Sequence, residues 1–220
     1  MRGAPDQTSS EPVSYFSGFF SLVYLVAPVL YALIVSSWRY QFFTAFFLFV
    51  VASVTDTLDG RIARARGLVS PLGVFLDTTA DKILVTVVLV ALAVAGLAPG
   101  WMAALIIARE FLVTGLRSYA AALGVVIPAG GWGKAKTAIT IAAIGLVLLS
   151  GDVAERGILG FIPKNVVQPL GGLSPANWAL LLAVIWTIGS GVEYVRGAFP
   201  LLMGSDQRVR RVTVLPSDEP

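Results

Sequence analysis

Four of the chain's thirteen acidic residues fall in one stretch, DTLDGRIARARGLVSPLGVFLDTTAD, running from Asp56 to Asp81. Asp56 and Asp59 are three positions apart, and Asp77 and Asp81 four. On a helix each pair projects from one face, separated by about 60° and about 40° around the axis. The flanks, TAFFLFVVASV before and KILVTVVLVALAVAGL after, are apolar, so both carboxylate pairs ride on helices that read as lipid-embedded. Four anions brought together at low dielectric either take up protons or hold cations. Hard carboxylate oxygens suit Mg²⁺, Mn²⁺ or Ca²⁺ better than softer metals. The stretch therefore reads as a metal site facing water.

The elements that must carry it are legible in the hydropathy. The chain is 56% hydrophobic and only 13% charged, which excludes an ordinary water-soluble domain and points to a polytopic membrane protein. Apolar runs near residues 15–37, 41–58, 76–98, 101–124, 135–150 and 176–197 each approach the length needed to cross a hydrocarbon core of about 30 Å. They lack the period-two alternation of barrel strands, so the expected fold is all-α, with six transmembrane helices. Residues 1–14 read as a disordered polar tail without a signal-peptide layout, 15–200 as the membrane-embedded catalytic domain, and 201–220 as a cytoplasmic C-terminal tail. With no Cys and no His, thiolate and imidazole chemistry are excluded, leaving carboxylates and lysines for acid–base work. Arg61, Arg64 and Arg66, then Lys134 and Lys136, then Arg196, Arg208, Arg210 and Arg211 outweigh Arg39, Arg156 and Lys164 on the opposite side. That asymmetry predicts both termini inside and the acidic cluster opening toward the cytoplasm, in a multi-pass protein of the plasma (inner) membrane.

Between the carboxylate pairs, Gly60 removes a side chain that would bar close approach beside Asp59. Arg61 and Arg64 share a helical face beyond Asp59, suited to a phosphate next to a metal, and Gly67, Pro71 and Gly73 are expected to break the helix into a hairpin. The full spacing is D-x2-D-G-x2-A-R-x8-G-x3-D-x3-D, filled by Asp56, Asp59, Gly60, Ala63, Arg64, Gly73, Asp77 and Asp81. This pattern resembles the signature of the CDP-alcohol phosphotransferase family. The resemblance implies a six-helix membrane enzyme, usually a homodimer, that moves a phosphatidyl or similar group from a CDP-linked donor to an alcohol and releases CMP. It implies that Asp56, Asp59, Asp77 and Asp81 hold two divalent metals, Mg²⁺ with Mn²⁺ as the alternative, and that Asp81 is the catalytic base for the acceptor hydroxyl. It also implies that Gly60, Ala63, Arg64 and Gly73 line the CDP site.

The fourth run, containing IIAREFLVTGLRSYAA, places Arg109, Glu110 and Arg117 in apolar sequence, where each must face the bundle interior or a cavity. Arg109 and Glu110 can form an ion pair, and Arg117 can snorkel to the interface. With Lys134 and Lys136 of WGKAKT, the four cations could instead converge on one anion. AREFLVTGLR followed by GKAKT resembles the phosphatidylglycerophosphate synthase branch of the family, whose acceptor is glycerol 3-phosphate. By that resemblance Arg109, Arg117, Lys134 and Lys136 bind the acceptor phosphate, Glu110 positions an arginine, and CDP-diacylglycerol is the donor lipid.

The remaining features read as structural. Lys82 is assigned a structural or interfacial role, Trp38 and Tyr40 an interfacial belt, Glu193 and Arg196 an i, i+3 pair, and residues 151–175 an external loop. The stretch FSGFFSLVYLVA before Pro28 lacks the Asn, Thr and Arg that bacterial members of the family usually carry at the start of the first membrane helix, so no role is carried over to that helix. Inositol phosphate or phosphatidylglycerol as acceptor, the latter as in cardiolipin synthesis, is the nearest alternative with the same chemistry. Intramembrane carboxylates also mark ion paths, but a cation transporter would be expected to repeat the acidic stretch in a second half, and no repeat is found. The charge pattern gives no footprint for nucleic acid.

Overall fold

The computed structural model describes residues 25–65, 71–124, 132–170 and 172–202, with the side chains of residues 59–77, 132–135 and 200–202 outside that description. The expected terminal tails therefore lie outside it. Among the described residues the chain is all-helical. A first helix, α1, covers Leu25–Val35. It is followed by α2 (Gln41–Ala65), α3 (Pro71–Val94), α4 (Gly100–Ala122), α5 (Trp132–Glu155), a 3-10 turn at Lys164–Val167, and α6 (Pro175–Leu202).

Three segments are long and apolar enough to cross a bilayer by length and composition: Gln41–Leu58, Lys136–Glu155 and Pro175–Phe199. What sets α3 and α4 apart is charge. Every 18-residue window of α3 contains Asp77, Asp81 and Lys82, and every such window of α4 contains Arg109, Glu110 and Arg117. The outer surface supports a lipid environment. Leu25, Phe47, Val54, Val94, Phe111, Leu112, Leu182 and Ile185 are each more than half exposed, far more apolar area than a water-facing surface carries. The chain is a membrane protein.

The core is continuous across the helices. Leu30 and Ile34 of α1, Phe49 of α2, Leu89 and Leu92 of α3, Met102 and Ile106 of α4, Ile144 and Leu148 of α5 and Leu180 of α6 are fully buried in it. α5 lies against both α2 and α6, and α4 against α6 and α3. Small residues permit the closest approach, as expected where helices associate by packing. A β-carbon at Gly151 would stand 2.8 Å from Leu97 Cδ1 and 3.1 Å from the Phe42 ring, so glycine is what lets α5 meet α2 there.

The helix ends explain where the chain turns. Pro71 opens α3, a position where its missing N–H costs nothing. Gly73 lies inside the first turn of α3 and does not break it, because glycine two residues into a helix begun by proline is tolerated by the surrounding hydrogen bonds. At the other end Gly96 takes φ 72°, its N–H donating to Ala93 O at 3.2 Å while Leu97 N–H reaches Leu92 O at 2.9 Å, a Schellman stop.

α5 stops the same way but with Arg156 at φ 56°, where a non-glycine residue is strained. Arg156 N–H donates to Val153 O at 3.3 Å and Gly157 N–H to Asp152 O at 2.8 Å. The strain is offset by the buried Asp152 carboxylate, which accepts from Ile158 N–H at 3.3 Å and Leu159 N–H at 2.7 Å. A β-carbon at Gly157 would collide with that carboxylate. The stretch expected as an external loop from 151 thus begins as the last turn of α5. It ends in a fastened bend, with Leu170 and Leu173 paired through their backbones and Trp178 Nε1 donating to Leu170 O at 2.9 Å. Glu193 and Arg196, expected to pair, are both exposed and do not pair with each other, holding two long side chains in one geometry being entropically costly. Asp152→Ala strips two part-buried amides of their acceptor. We expect a loss of about 2–4 kcal/mol, read as a fall of several degrees in the thermal midpoint of tryptophan fluorescence in detergent, with Asp152→Asn falling less.

Candidate active site

α2 continues unbroken to Ala65, and this decides the layout of its polar residues. Asp56, Asp59, Gly60, Ala63 and Arg64 occur at i, i+3, i+4, i+7 and i+8, so their positions share one helical face. On α3, Gly73, Asp77 and Asp81 recur at i, i+4 and i+8, again one face. The side chains of Asp59, Gly60, Ala63, Arg64, Gly73 and Asp77 lie outside the described residues. Asp56 and Asp81 lie within them, each part-buried. Among the described residues no three potential ligands gather as a metal cage. The donor set nevertheless fits hard divalent cations, since it is carboxylate throughout in a chain with neither His nor Cys.

Asp81 opens onto a recess between three helices. Its described lining is Asp81, Lys82 and Val85 of α3, Glu110 of α4, and Lys136, Thr137, Thr140 and Ile141 of α5, and it is open to solvent on one side. α3 and α5 each contribute one face at helical spacing, and α4 contributes Glu110. The polar lining is both acidic and basic, so the recess can receive a group that needs a base and a cation together.

Glu110 organises the charges around it. Its Oε1 accepts Arg109 Nη1 at 3.2 Å and also receives Lys136 Nζ, with side-chain exposures of 12% for Arg109, 18% for Glu110 and 13% for Lys136. Both contacts are ion pairs held largely out of solvent. The same guanidinium reaches α6, Nε donating to Thr187 O at 3.1 Å and Nη2 to Ser190 Oγ at 2.9 Å. Gly191 makes the passage possible, for a β-carbon there would stand 3.0 Å from Arg109 Cγ. Arg117 is exposed, its guanidinium 5.7 Å above the Tyr194 ring, a cation–π contact to α6. The two arginines therefore lean on α6 while Lys136 faces the recess with Asp81. Lys134 has its side chain outside the described residues.

Three polar recess residues were not singled out as site residues from the sequence: Lys82, Thr137 and Thr140. The available signal was spacing. Lys82 adjoins Asp81, and Thr137 and Thr140 fall one and four positions after Lys136.

Comparison with known proteins adds the decisive observation: the CDP-alcohol phosphatidyltransferase family profile matches residues 16–189, most of the chain. The chain belongs to this family. The match spans α1 to α6, including the aspartate faces of α2 and α3 and the Arg109–Glu110–Lys136 group. Among curated members, the chain is 42% identical over 147 residues to a CDP-diacylglycerol–glycerol-3-phosphate 3-phosphatidyltransferase of Bacillus subtilis, covering 67% of this chain and 69% of that protein. A protein of the same name from Rickettsia bellii is 42% identical over 149 residues, covering 68% and 75%. Another from Pseudomonas fluorescens is 33% identical over 186 residues, covering 81% and 86%.

In this CDP-alcohol phosphatidyltransferase the Arg109 tie is geometric as well as electrostatic, because three fixed acceptors need a planar fork. Arg109→Lys keeps the charge but cannot span Thr187 O, Ser190 Oγ and Glu110 Oε1 together. We expect it to lose about 2–4 kcal/mol, nearly as much as Arg109→Met, in thermal unfolding of the detergent-solubilised protein.

Proposed function

We propose that the chain is a metal-dependent CDP-diacylglycerol–glycerol-3-phosphate 3-phosphatidyltransferase, moving a phosphatidyl group to glycerol 3-phosphate and releasing CMP in phospholipid biosynthesis. The observation that carries this reading is the shared recess: Asp81, last acid of the family signature, faces the same space as Lys136. A hydroxyl to be deprotonated and a phosphate to be held belong to one small acceptor.

In this reading Asp81 accepts the proton from the acceptor hydroxyl as its oxygen bonds to the phosphatidyl phosphorus, and the bond from that phosphorus to CMP breaks. A carboxylate kept ionised near neutral pH suffices as base without His. Asp56, Asp59, Asp77 and Asp81 are the residues to hold two divalent cations, Mg²⁺ with Mn²⁺ as alternative, whose chemistry is to neutralise charge on the attacking and leaving oxygens. Gly60, Ala63 and Gly73 leave room for the nucleotide against backbone, and Arg64 meets its phosphates. Lys136, with Lys134 and the α4 arginines, draws the acceptor phosphate. Glu110 keeps Lys136 and Arg109 in place, since each is shared with its Oε1.

The membrane arrangement follows the charge distribution. We read six spans, α3 and α4 crossing with their charges turned inward, both termini and the recess on the cytoplasmic side of the plasma membrane, and a homodimer as the working assembly. Residues 1–14 and 201–220 are tails to a catalytic domain at 15–200. The donor's acyl chains remain in lipid while its CDP head enters sideways from the bilayer.

Purified protein given CDP-diacylglycerol and Mg²⁺ should release CMP with glycerol 3-phosphate and not with inositol phosphate, phosphatidylglycerol or no acceptor. Chelation of the metal should abolish release. Asp81→Asn should lower turnover by about 10²–10⁴-fold while part of the metal binding survives, and an Asn variant that turns over normally removes Asp81 from the role of base.

A further inference from the structure

Lys82 is half-hidden on an apolar helix, yet it does not extend away from the site. It lines the recess beside Asp81 and opposite Lys136. Its Nζ donates to Thr78 O at 2.9 Å, a carbonyl of its own helix and a neutral acceptor. Among the described residues that is its hydrogen bond, and an ammonium has three donors.

The local charge balance gives it a use. The recess is lined by two cations, Lys82 and Lys136, and two carboxylates, Asp81 and Glu110; Glu110 is shared by Lys136 and Arg109, which leaves the Lys82 ammonium as the recess cation not tied to Glu110. A phosphate monoester offers that ammonium a charged acceptor in place of a neutral one. The hydroxyls of Thr137 and Thr140 add neutral donors to the same wall.

We propose that Lys82 is a binding residue for the acceptor, its ammonium and that of Lys136 holding the phosphate monoester from opposite walls of the recess. The inference rests on the acceptor being glycerol 3-phosphate. Because Lys82 follows Asp81 on α3, one helix then holds both ends of the acceptor: the aspartate at the hydroxyl, the lysine at the phosphate. Specificity for a phosphorylated alcohol comes from this coupling, since a neutral alcohol offers Lys82 no anion. Arg109 becomes a positioning residue, engaged with α6 and Glu110.

The test compares wild type, Lys82→Met and Lys82→Arg in full-length protein. KM for glycerol 3-phosphate should rise about tenfold to a hundredfold in Lys82→Met, the loss expected for a charge-assisted hydrogen bond. Its kcat should fall far less, its KM for CDP-diacylglycerol should stay unchanged, and Lys82→Arg should recover most of the affinity. Thermal stabilisation by added glycerol 3-phosphate should likewise vanish in Lys82→Met while stabilisation by CMP persists. An unchanged KM for glycerol 3-phosphate, or an equal rise for both substrates, overturns the proposal. Wild-type protein that releases no CMP with glycerol 3-phosphate overturns the functional reading on which it rests.

Discussion

The Glu110 carboxylate is the interaction on which the site's architecture depends. Through Oε1 it fastens α4 to α5 at Lys136, and through Arg109 the same group fastens α4 to Thr187 and Ser190 of α6. Three helices are thereby set against one another by two adjacent residues. In a low-dielectric interior such a group is stable only when each charge is met, and removing one member costs far more than the whole is worth as a contact. The packing around it obeys the same demand, with Gly191 leaving room for the Arg109 side chain. α3 then completes the recess by presenting Asp81 and Lys82 to this preformed charge frame.

Much of this was legible in the sequence, for physical reasons that differ by residue. The helices were legible because lipid removes alternatives to internal hydrogen bonding, and their apolar runs stand out. The aspartate faces were legible because helical periodicity converts spacing into direction, so Asp56 with Asp59 and Asp77 with Asp81 needed no tertiary information. The family followed from the same residues.

Tertiary pairing was not legible. Arg109, Arg117, Lys134 and Lys136 looked alike as cations near one end of the bundle. Their partners distinguish them: Ser190 and Thr187 are 81 and 78 residues from Arg109 in the chain, and no local pattern joins such positions. Lys82 reads as structural or interfacial because a single lysine beside a signature aspartate carries no spacing of its own, and its place in a recess with Lys136 of α5 depends on packing. Asp152 escaped notice for a similar reason, its backbone partners at Ile158 and Leu159 being set by a turn whose left-handed residue is an arginine. Gly73 shows the converse error, a breaker by composition that the turn begun at Pro71 absorbs.

The ion pair between Glu110 and Lys136 also bears on how the protein is made. In the six-span reading, α4 reaches the insertion machinery carrying Arg109, Glu110 and Arg117, each costing about 2.5–3.5 kcal/mol at the centre of a nascent helix. Lys136, which meets Glu110, is synthesised 26 residues later. α4 thus has reason to linger at the lateral gate of the translocon until α5 emerges, so the two leave for the bilayer as a pair. The charge pairing that shapes the recess in the finished enzyme would in this way also set the order of its assembly.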